Sequence, residues 1–373
     1  MKKIVGILPL VVIFISVTGK SQPIDSSLTD LARYLGGLPC LTSEYQQLQN
    51  EDSYKEHRTF ATTTWKYFSD STLIPARKWA EEKLITEKAD TGTCFYPFSG
   101  PDYLFAHTFF PWCKQYVMMG LERCGTVKKM TNVKKDDRAN YLVSVRTALR
   151  YLVRSGYFVT SHMGSDLSKS HLNGTVHMIL YFAARTGHHI HALEYGYIDA
   201  KGKFISTGQK PSSQYFTGMH ITMSDTLTGN LKNIFYYSCD IADYKIKTKD
   251  HLTPYVKSLG EVNTYLKSAS YIPLHKNFSI IRNAILKNSR KILQDDTGVP
   301  YKSIKDTSIF EYNMWGTYST TIKELEWGFQ SDLKADIKKS PNNKSLPFRI
   351  SYNGNYGEGL MMYARRKSLV FSH

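Results

Sequence analysis

The chain has 373 residues, of which 42% are hydrophobic, 13% are aromatic and 21% are charged. This composition excludes a disordered or fibrous protein, because enough apolar surface is present to offset the entropy lost on folding. The 48 Lys and Arg residues against 32 Asp and Glu give a formal charge of +16, which favours acidic partners but does not bear on the fold. The length suggests about two domains.

The first twenty residues have the pattern of a secretory signal peptide. Lys2 and Lys3 precede an apolar run at 4–17, which is shorter than the ~20 residues of a membrane-spanning helix. Val17 and Gly19 fit the small-residue rule for cleavage after Gly19. A short signal that starts with lysines is typical of bacteria. We therefore expect an exported chain, periplasmic or extracellular, with a formal charge of about +14 and no later membrane span.

Helical patterns dominate the first half of the mature chain. We predict an amphipathic stretch at 43–67, strands at 93–98 and 116–121, and helices at 26–35, 71–84, 103–110, 136–154 and 175–185. In the clearest helix, Leu142, Val145 and Leu149 form an apolar stripe. The same helix carries a basic stripe at i, i+4 and i+8, formed by Arg146, Arg150 and Arg154.

From residue 188 the apolar period changes from helical to alternating. The segments 188–198 and 203–207 flank a glycine-containing turn and predict a hairpin. Further strands are predicted at 219–223, 233–239, 291–295, 308–314, 347–352 and 359–364, with helices at 277–289 and 329–339. Antiparallel hairpins favour an α+β fold over a doubly wound parallel sheet.

The predicted organisation is therefore a helix-rich N-terminal half and a mainly antiparallel, strand-rich C-terminal half. The signal peptide occupies 1–19, a helix-rich α/β region occupies 20–187, and a strand-rich α+β region occupies 188–373. No linker rich in Pro, Gly or Ser marks the boundary near residue 187, so the division depends on the change of period alone.

The five cysteines are Cys40, Cys94, Cys113, Cys124 and Cys239. An oxidising compartment permits disulfides, and the odd number leaves at least one cysteine unpaired. No CxxC pair occurs, which argues against a structural zinc cluster. Two interpretations stay open: buried thiols, or one disulfide among Cys94, Cys113 and Cys124.

Three sets of segments in this chain resemble segments of a known protein family. They are YPFSGPD at 96–102 running into 109–111; LKSASY at 266–271 with Phe278, 281–282 and QDDTGVP at 294–300; and 346–348 leading to Tyr352. Together they resemble a conserved family of secreted bacterial proteins to which no function is assigned. The resemblance spans most of the mature chain and supports export. It implies no ligand, reaction or catalytic residue.

The turn at 99–102 is a candidate catalytic segment. A Ser–His–Asp set formed by Ser99, His107 and Asp102 would suit a hydrolase, although the segment is not the GxSxG of nucleophile elbows. The alternative, which we favour, is that Gly100 and Pro101 make a turn and that Ser99 or Asp102 caps the next helix.

The adjacent carboxylates Asp295 and Asp296 are a second candidate, because such pairs suit cation binding or general acid–base catalysis. The triplet 296–298 also resembles the catalytic triplet of aspartic proteases. Those enzymes need a second carboxylate from another lobe, and this chain has no second copy of the triplet. A turn at the end of a strand is the favoured interpretation.

Six of the twelve histidines lie between 162 and 191. On one strand, His189 and His191 would point to the same face, as metal-ligating pairs do. A third ligand would have to come from His162, His171, His177 or a later carboxylate. No HExxH signature is present, so ordinary polar histidines are the favoured interpretation.

Basic and aromatic side chains are the candidate ligand-binding groups. One basic band runs from Lys128 to Arg154 and a second from Lys334 to Lys367. For the first band, the favoured interpretation is an ordinary solvated face. Aromatic rings in the strand-rich half, such as Trp315 and Tyr318, would suit stacking on sugars if they were exposed. Because most aromatic residues in strands are core residues, only an exposed row would favour a glycan site.

We therefore expect an exported bacterial protein that binds an anionic or sugar-containing cell-envelope ligand. The alternative is a cell-envelope hydrolase that uses Asp and His acid–base residues and, in one version, a metal. No particular cofactor is indicated, and the export signal argues against a nucleic-acid partner. The two turns at 99–102 and 294–300 would favour catalysis if they faced one pocket.

Overall fold

The computed structural model describes residues 23–84, 92–158, 167, 171–213, 216–306 and 308–367. The predicted signal peptide at 1–19 lies outside these ranges, and so does His162. None of the described helices is both long and apolar enough to cross a bilayer.

The N-terminal half is mostly helical, as predicted. Its helices in the described ranges are α1 Ser26–Leu35, α2 Ser43–Leu48, α3 Asp52–Phe68, α4 Ile74–Lys83, α5 Tyr103–Phe109, α6 Lys135–Ser155 and α7 Val176–Arg185. The cap of α1 is Asp25, which accepts a hydrogen bond from the Leu28 amide at 3.0 Å. A π-helical turn, Ser69–Leu73, joins α3 to α4.

The strands are β1 Thr93–Tyr96, β2 Gln115–Gly120, β3 His188–Ile198, β4 Phe204–Gly208, β5 Thr217–Asp225, β6 Leu231–Ser238, β7 Val262–Leu266, β8 Ser289–Gln294, β9 Phe310–Gly316 and β10 Leu360–Arg366. The remaining α-helices of the described chain are α8 Asp243–Thr248, α9 Leu252–Ser258, α10 Ser279–Asn288, α11 Tyr301–Ile304 and α12 Ser331–Lys339. Strand β7 was not predicted. The strand predicted at 347–352 is wrong, because this segment consists of bends and turns, with Ser351 in the left-handed region at φ 64°.

The ten strands of the described residues form one mixed sheet in the order β4-β3-β5-β6-β2-β1-β7-β8-β10-β9. The α+β prediction is confirmed, and five of the six pairings made within the C-terminal half are antiparallel. The centre of the sheet is parallel and not antiparallel. Each strand in the run β6, β2, β1, β7 and β8 is parallel to its neighbours. Counted along the chain, these five parallel strands have the order 3-2-1-4-5 of doubly wound sheets.

Helices cover both faces of the sheet. Side chains alternate along β1, so that Cys94 and Tyr96 join an apolar cluster beneath α1 and α3–α7, whereas Phe95 joins a second cluster beneath α8–α10. The connection from β1 to β2 runs through α5 on the first face, and the connection from β7 to β8 runs through α10 on the second. The chain therefore reverses its direction of winding between β1 and β7.

Strands from both sides of residue 187 contribute to this sheet, since β1 and β2 lie between β6 and β7. The division of the chain into two regions at that residue stays a prediction. Each of the five cysteines is a buried thiol, so the structure favours that interpretation over a disulfide.

Candidate functional site

A cleft opens at the carboxyl ends of β1, β2, β6 and β7. Its volume is about 140 Å³, and its walls come from the four segments that follow these strands, together with Tyr157 and Phe158 after α6 and Phe278 before α10. In sheets with this strand order, neighbouring connections leave on opposite faces at the reversal point and open a crevice there. The position of the cleft therefore follows from the topology of the sheet.

The turn after β1 is attached to the end of β2. The Ser99 hydroxyl accepts a hydrogen bond from the Met119 amide at 3.1 Å and lies 3.1 Å from the Met119 carbonyl oxygen. Gly100 has φ 51°, and a Cβ added to Gly120 would lie 3.0 Å from the Gly100 Cα. Ser99 therefore holds the turn against the end of β2, and the two glycines permit the close approach.

Asp102 and Lys267 form a buried ion pair in the wall of the cleft, with Nζ 2.6 Å from Oδ2. Asp102 also caps α5 by accepting a hydrogen bond from the Phe105 amide, and Lys267 donates to the Gly156 carbonyl at 2.7 Å. Burial raises the pKa of Asp102 and lowers the pKa of Lys267, and the attraction between the two charges opposes both shifts. The pair joins the turn after β1 to the end of β7.

The loop after β7 has an unusual backbone. Ser268, Ser270 and Tyr271 all have φ between 50° and 58°, a region that residues other than glycine rarely adopt. Strained backbone of this kind occurs at ligand-binding and catalytic sites and needs support from the surrounding structure. Ser268, Ala269 and Ser270 line the cleft.

The segment 294–300 supplies that support from behind the loop. The Ser268 amide donates to Asp295 at 2.6 Å, and the Ala269 amide donates to the Thr297 hydroxyl at 2.7 Å. The Tyr271 hydroxyl donates to Asp296. The two buried aspartates therefore act as acceptors that hold the loop, and neither lines the cleft.

The segments that carry the resemblance meet at this place. Residues 97–102 and 267–270 line the cleft, and 294–300 holds the second of these segments. The Tyr352 hydroxyl donates to the Ser268 carbonyl at 2.7 Å. The turns at 99–102 and 294–300 therefore lie at one place in the fold, but only the first lines the cleft.

Two carboxylates of the cleft were missed by the sequence analysis. Glu122 follows β2 and Asp240 follows β6, and each lines the cleft. Burial raises the pKa of Glu122, and no side chain in the described part of the chain donates to its carboxylate. Asp240 accepts hydrogen bonds from the Tyr244 hydroxyl at 2.9 Å and the Ala242 amide at 3.0 Å. The signal that could have identified both is a carboxylate directly after a strand, once the strands are known to be parallel.

His107 lies on α5 and is buried. Its Nδ1 lies 3.4 Å from the Arg77 guanidinium, and its ring is 5.1 Å from the ring of His188. Burial and these neighbouring groups lower the pKa of His107 well below its ordinary value. Its hydrogen-bonding contacts in the described chain are with Arg77, and it does not line the cleft that contains Ser99 and Asp102.

His189 and His191, the possible metal-ligating pair, lie on β3. His191 Nε2 lies 2.8 Å from the Ser224 hydroxyl, and burial lowers the pKa of His189. Within the described ranges, no three His, Cys, Asp or Glu side chains are grouped so that they could hold a metal ion.

The proposed ligand-binding residues lie apart from one another. Arg146 pairs with Glu56 at 3.1 Å, whereas Arg150 and Arg154 are exposed on α6. Trp315 packs edge-on against Trp79, with ring centroids 5.3 Å apart. Tyr318 is buried and accepts a hydrogen bond from the Gln330 amide. Trp315 and Tyr318 therefore do not form an exposed aromatic row.

No family model, curated protein or solved structure matches this chain. A fold alone can carry many unrelated functions, so a functional proposal has to come from the chemistry of the cleft.

Proposed function

We propose that this chain is an exported bacterial protein whose cleft binds the ring of a sugar-containing ligand. The observation that carries the proposal is the buried Glu122 carboxylate, which lines the cleft without a side-chain donor among the described residues. It follows β2 and lies 22 residues after Gly100. In doubly wound sheets, a carboxylate about 20 residues after the first glycine turn accepts hydrogen bonds from ribose hydroxyls.

The charges in the cleft favour a ligand without phosphate. Asp102 occupies the N-terminus of α5, where doubly wound sheets otherwise bind phosphate, and it also neutralises Lys267. Glu122 and Asp240 remain as additional carboxylates in the lining. Hydroxyl groups, which donate hydrogen bonds to carboxylates, suit this environment, whereas an anion would be repelled.

The cleft also offers an apolar wall. Phe98 and Phe278 lie with ring centroids 6.2 Å apart, and Phe158 is a further wall residue. A sugar ring has hydroxyl groups at its edge and C–H groups on its faces, which match carboxylates and aromatic rings respectively. The volume suits one ring, since a cavity of roughly 150 Å³ takes up benzene.

Two sources could supply such a ring: a cell-envelope glycan or a nucleoside. The test is titration calorimetry of the mature chain with neutral monosaccharides, neutral disaccharides and unphosphorylated nucleosides. We expect one of these classes to bind, and Glu122→Gln to weaken binding by about tenfold or more, because a charged acceptor is lost. Glu261→Gln is the control, because Glu261 is exposed. Absence of binding in all three classes, or equal binding by wild type and Glu122→Gln, would contradict the proposal.

Hydrolysis of a glycosidic bond in the same cleft is a second candidate. The raised pKa of Glu122 favours this candidate, because a general acid has to be protonated before it can donate its proton to the leaving-group oxygen. Asp240 would be the second carboxylate, acting as base or nucleophile. Release of phenol from a panel of aryl glycosides tests this version. Turnover that Glu122→Gln abolishes supports hydrolysis, and binding without turnover limits the function to recognition.

A further inference from the structure

A second and larger depression lies beside the cleft, and the two have no wall residue in common. This groove has a volume of about 870 Å³, and its walls come from the segment before α10, from α10 and α11, and from the turn that leads into α12. We propose that the groove binds an acidic glycan, several sugar units long and carrying carboxylate or sulfate groups. The proposal concerns the groove alone and does not depend on the function of the cleft.

The charged side chains in the groove are mainly basic. Lys276, Arg282 and Lys302 line it, and Asp332 is the acidic residue of the lining. Lys276 and Lys302 are exposed, and neither forms an ion pair within the described ranges. Arg282 donates to the carbonyl groups of Pro273 and His275, which holds its guanidinium in place. A ligand with several negative charges would therefore meet unpaired cations from two separate segments of the groove lining.

An exposed tryptophan forms part of the same lining. Trp327 is 51% exposed, which is unusual for so large an apolar side chain. Edge-on contacts fix the position of its ring, with centroids 4.5 Å from His275 and 6.0 Å from Tyr271. Gly328 packs against the Tyr271 ring so closely that an added Cβ would lie 2.2 Å from it. The Trp327 ring is therefore held in one position and presents a flat apolar surface to solvent.

The combination of groups distinguishes an acidic glycan from a simple anion. Inorganic phosphate or sulfate could bind to the lysines, but so small an anion would not fill the groove or contact Trp327. A sugar chain places C–H faces and acidic groups in alternation along its length, and so can contact Trp327 and both lysines together. The size of the groove suits an oligosaccharide and far exceeds what one ring needs.

The test uses an acidic glycan and its methyl ester, which lacks the negative charges. Oligogalacturonate and its neutral methyl ester are titrated against the mature chain at about 50 and about 300 mM NaCl, between which the screening length falls by a factor of about 2.4. Oligoalginate and a heparin oligosaccharide complete the panel. We expect at least one acidic ligand to bind, to weaken at the higher salt concentration, and to bind more tightly than the neutral ester.

The variants assign this binding to the groove. The pair Lys276→Gln and Lys302→Gln should weaken acidic ligands by about tenfold or more and reduce the salt dependence. Trp327→Ala should weaken both the acidic ligand and its ester. Lys287→Gln and Tyr67→Ala are matched controls on exposed residues outside the groove and should bind like the wild type.

The outcomes separate this proposal from that for the cleft. Glu122→Gln should leave binding of acidic glycans unchanged, and the groove variants should leave binding in the cleft unchanged. The groove proposal is overturned if no acidic glycan in the panel binds at the lower salt concentration. It is also overturned if Lys287→Gln weakens binding as much as the paired variant, or if a single-stranded oligonucleotide binds the groove more tightly than every glycan.

Discussion

Lys267 and Asp102 form an ion pair between two parallel strands at the point where the sheet reverses its winding. Nζ of Lys267 lies 2.6 Å from Oδ2 of Asp102, and the two side chains are only 2% and 3% exposed. The ammonium group also lies 3.8 Å from the centroid of the Phe105 ring. The pair thus holds the turn after β1, the start of α5 and the loop after β7 in one arrangement.

Removing one partner of this pair should destabilise the protein strongly. Lys267→Met leaves the Asp102 carboxylate buried without its cation, and we expect a loss of about 3–5 kcal/mol in the free energy of unfolding. The double variant with Asp102→Asn removes both charges, so it should lose less than the sum of the two single variants. Urea unfolding gives the free energy of unfolding of the two single variants and of the double variant. Strict additivity would show that the two side chains do not interact.

The support of the loop after β7 can be tested at Thr297. Thr297→Val keeps the shape of the side chain but removes the acceptor for the Ala269 amide. An unsatisfied buried N–H group costs about 1–3 kcal/mol, so urea unfolding should show a loss of this size. Binding in the cleft should weaken as well, although Thr297 does not line it. Unchanged stability would mean that the loop keeps its conformation without this bond.

The buried aspartates predict a pH dependence of stability. Burial and the charge of Asp295 raise the pKa of Asp296 from 3.8 to about 7. A proton bound more tightly in the folded state stabilises it below pH about 4, and this contribution is lost as the pH rises towards 7. Each pKa unit corresponds to about 1.4 kcal/mol.

Asp296→Asn should remove this contribution, because the amide does not titrate. The difference between wild type and variant in free energy of unfolding, measured from pH 4 to pH 8, should therefore change in favour of the variant as the pH rises. A difference that is constant over this range would contradict the raised pKa.

Gly120 tests the close packing of the turns around the cleft. A Cβ in Gly120→Ala would lie 2.8 Å from the Glu122 carboxylate and 3.0 Å from the Gly100 Cα, so the turn after β1 would have to move. We expect a lower melting temperature and weaker binding in the cleft. Gly359→Ala is the matched control, because its Cβ would find no neighbour closer than 3.5 Å. Equal behaviour of the two variants would contradict this account.

Counting the free thiols distinguishes the two interpretations of the cysteines, which are five buried thiols or one disulfide. All five thiols are buried, and burial raises the pKa of Cys40 and of Cys124 to about 12. A thiol reagent should therefore react slowly with the folded mature chain and should find five thiols after unfolding in denaturant. Three thiols after unfolding would indicate one disulfide.

Much of the secondary structure could be predicted because its cause is local. The apolar stripe of α6 and the hairpin of β3 and β4 depend on residues close together in the chain, and both were predicted to within a few residues. Strand β7 was missed because it is buried at every position and shows no alternation. The segment 347–352 has the composition of a strand, but Ser351 adopts a left-handed backbone and donates to Asp296.

The candidate site was less predictable than the elements. Ser99 and Asp102 were singled out, and both lie in the wall of the cleft, but as residues that hold the turn, the helix cap and the ion pair. Glu122 and Lys267 were not singled out as site residues, because their place beside the cleft depends on how the strands pair. They become neighbours of the cleft only because β2 and β7 both pair with β1.

The amino-acid sequence by itself determined the helix-rich first half, the antiparallel hairpins of the second half and the excess of basic residues. Those features depend on neighbouring residues or on composition alone. The tertiary structure decided the parallel centre of the sheet, because parallel strands need long crossover connections and pair with distant segments. It also decided the character of the cleft, where Asp102 neutralises Lys267 and leaves a carboxylate-lined site in a chain whose formal charge is +16.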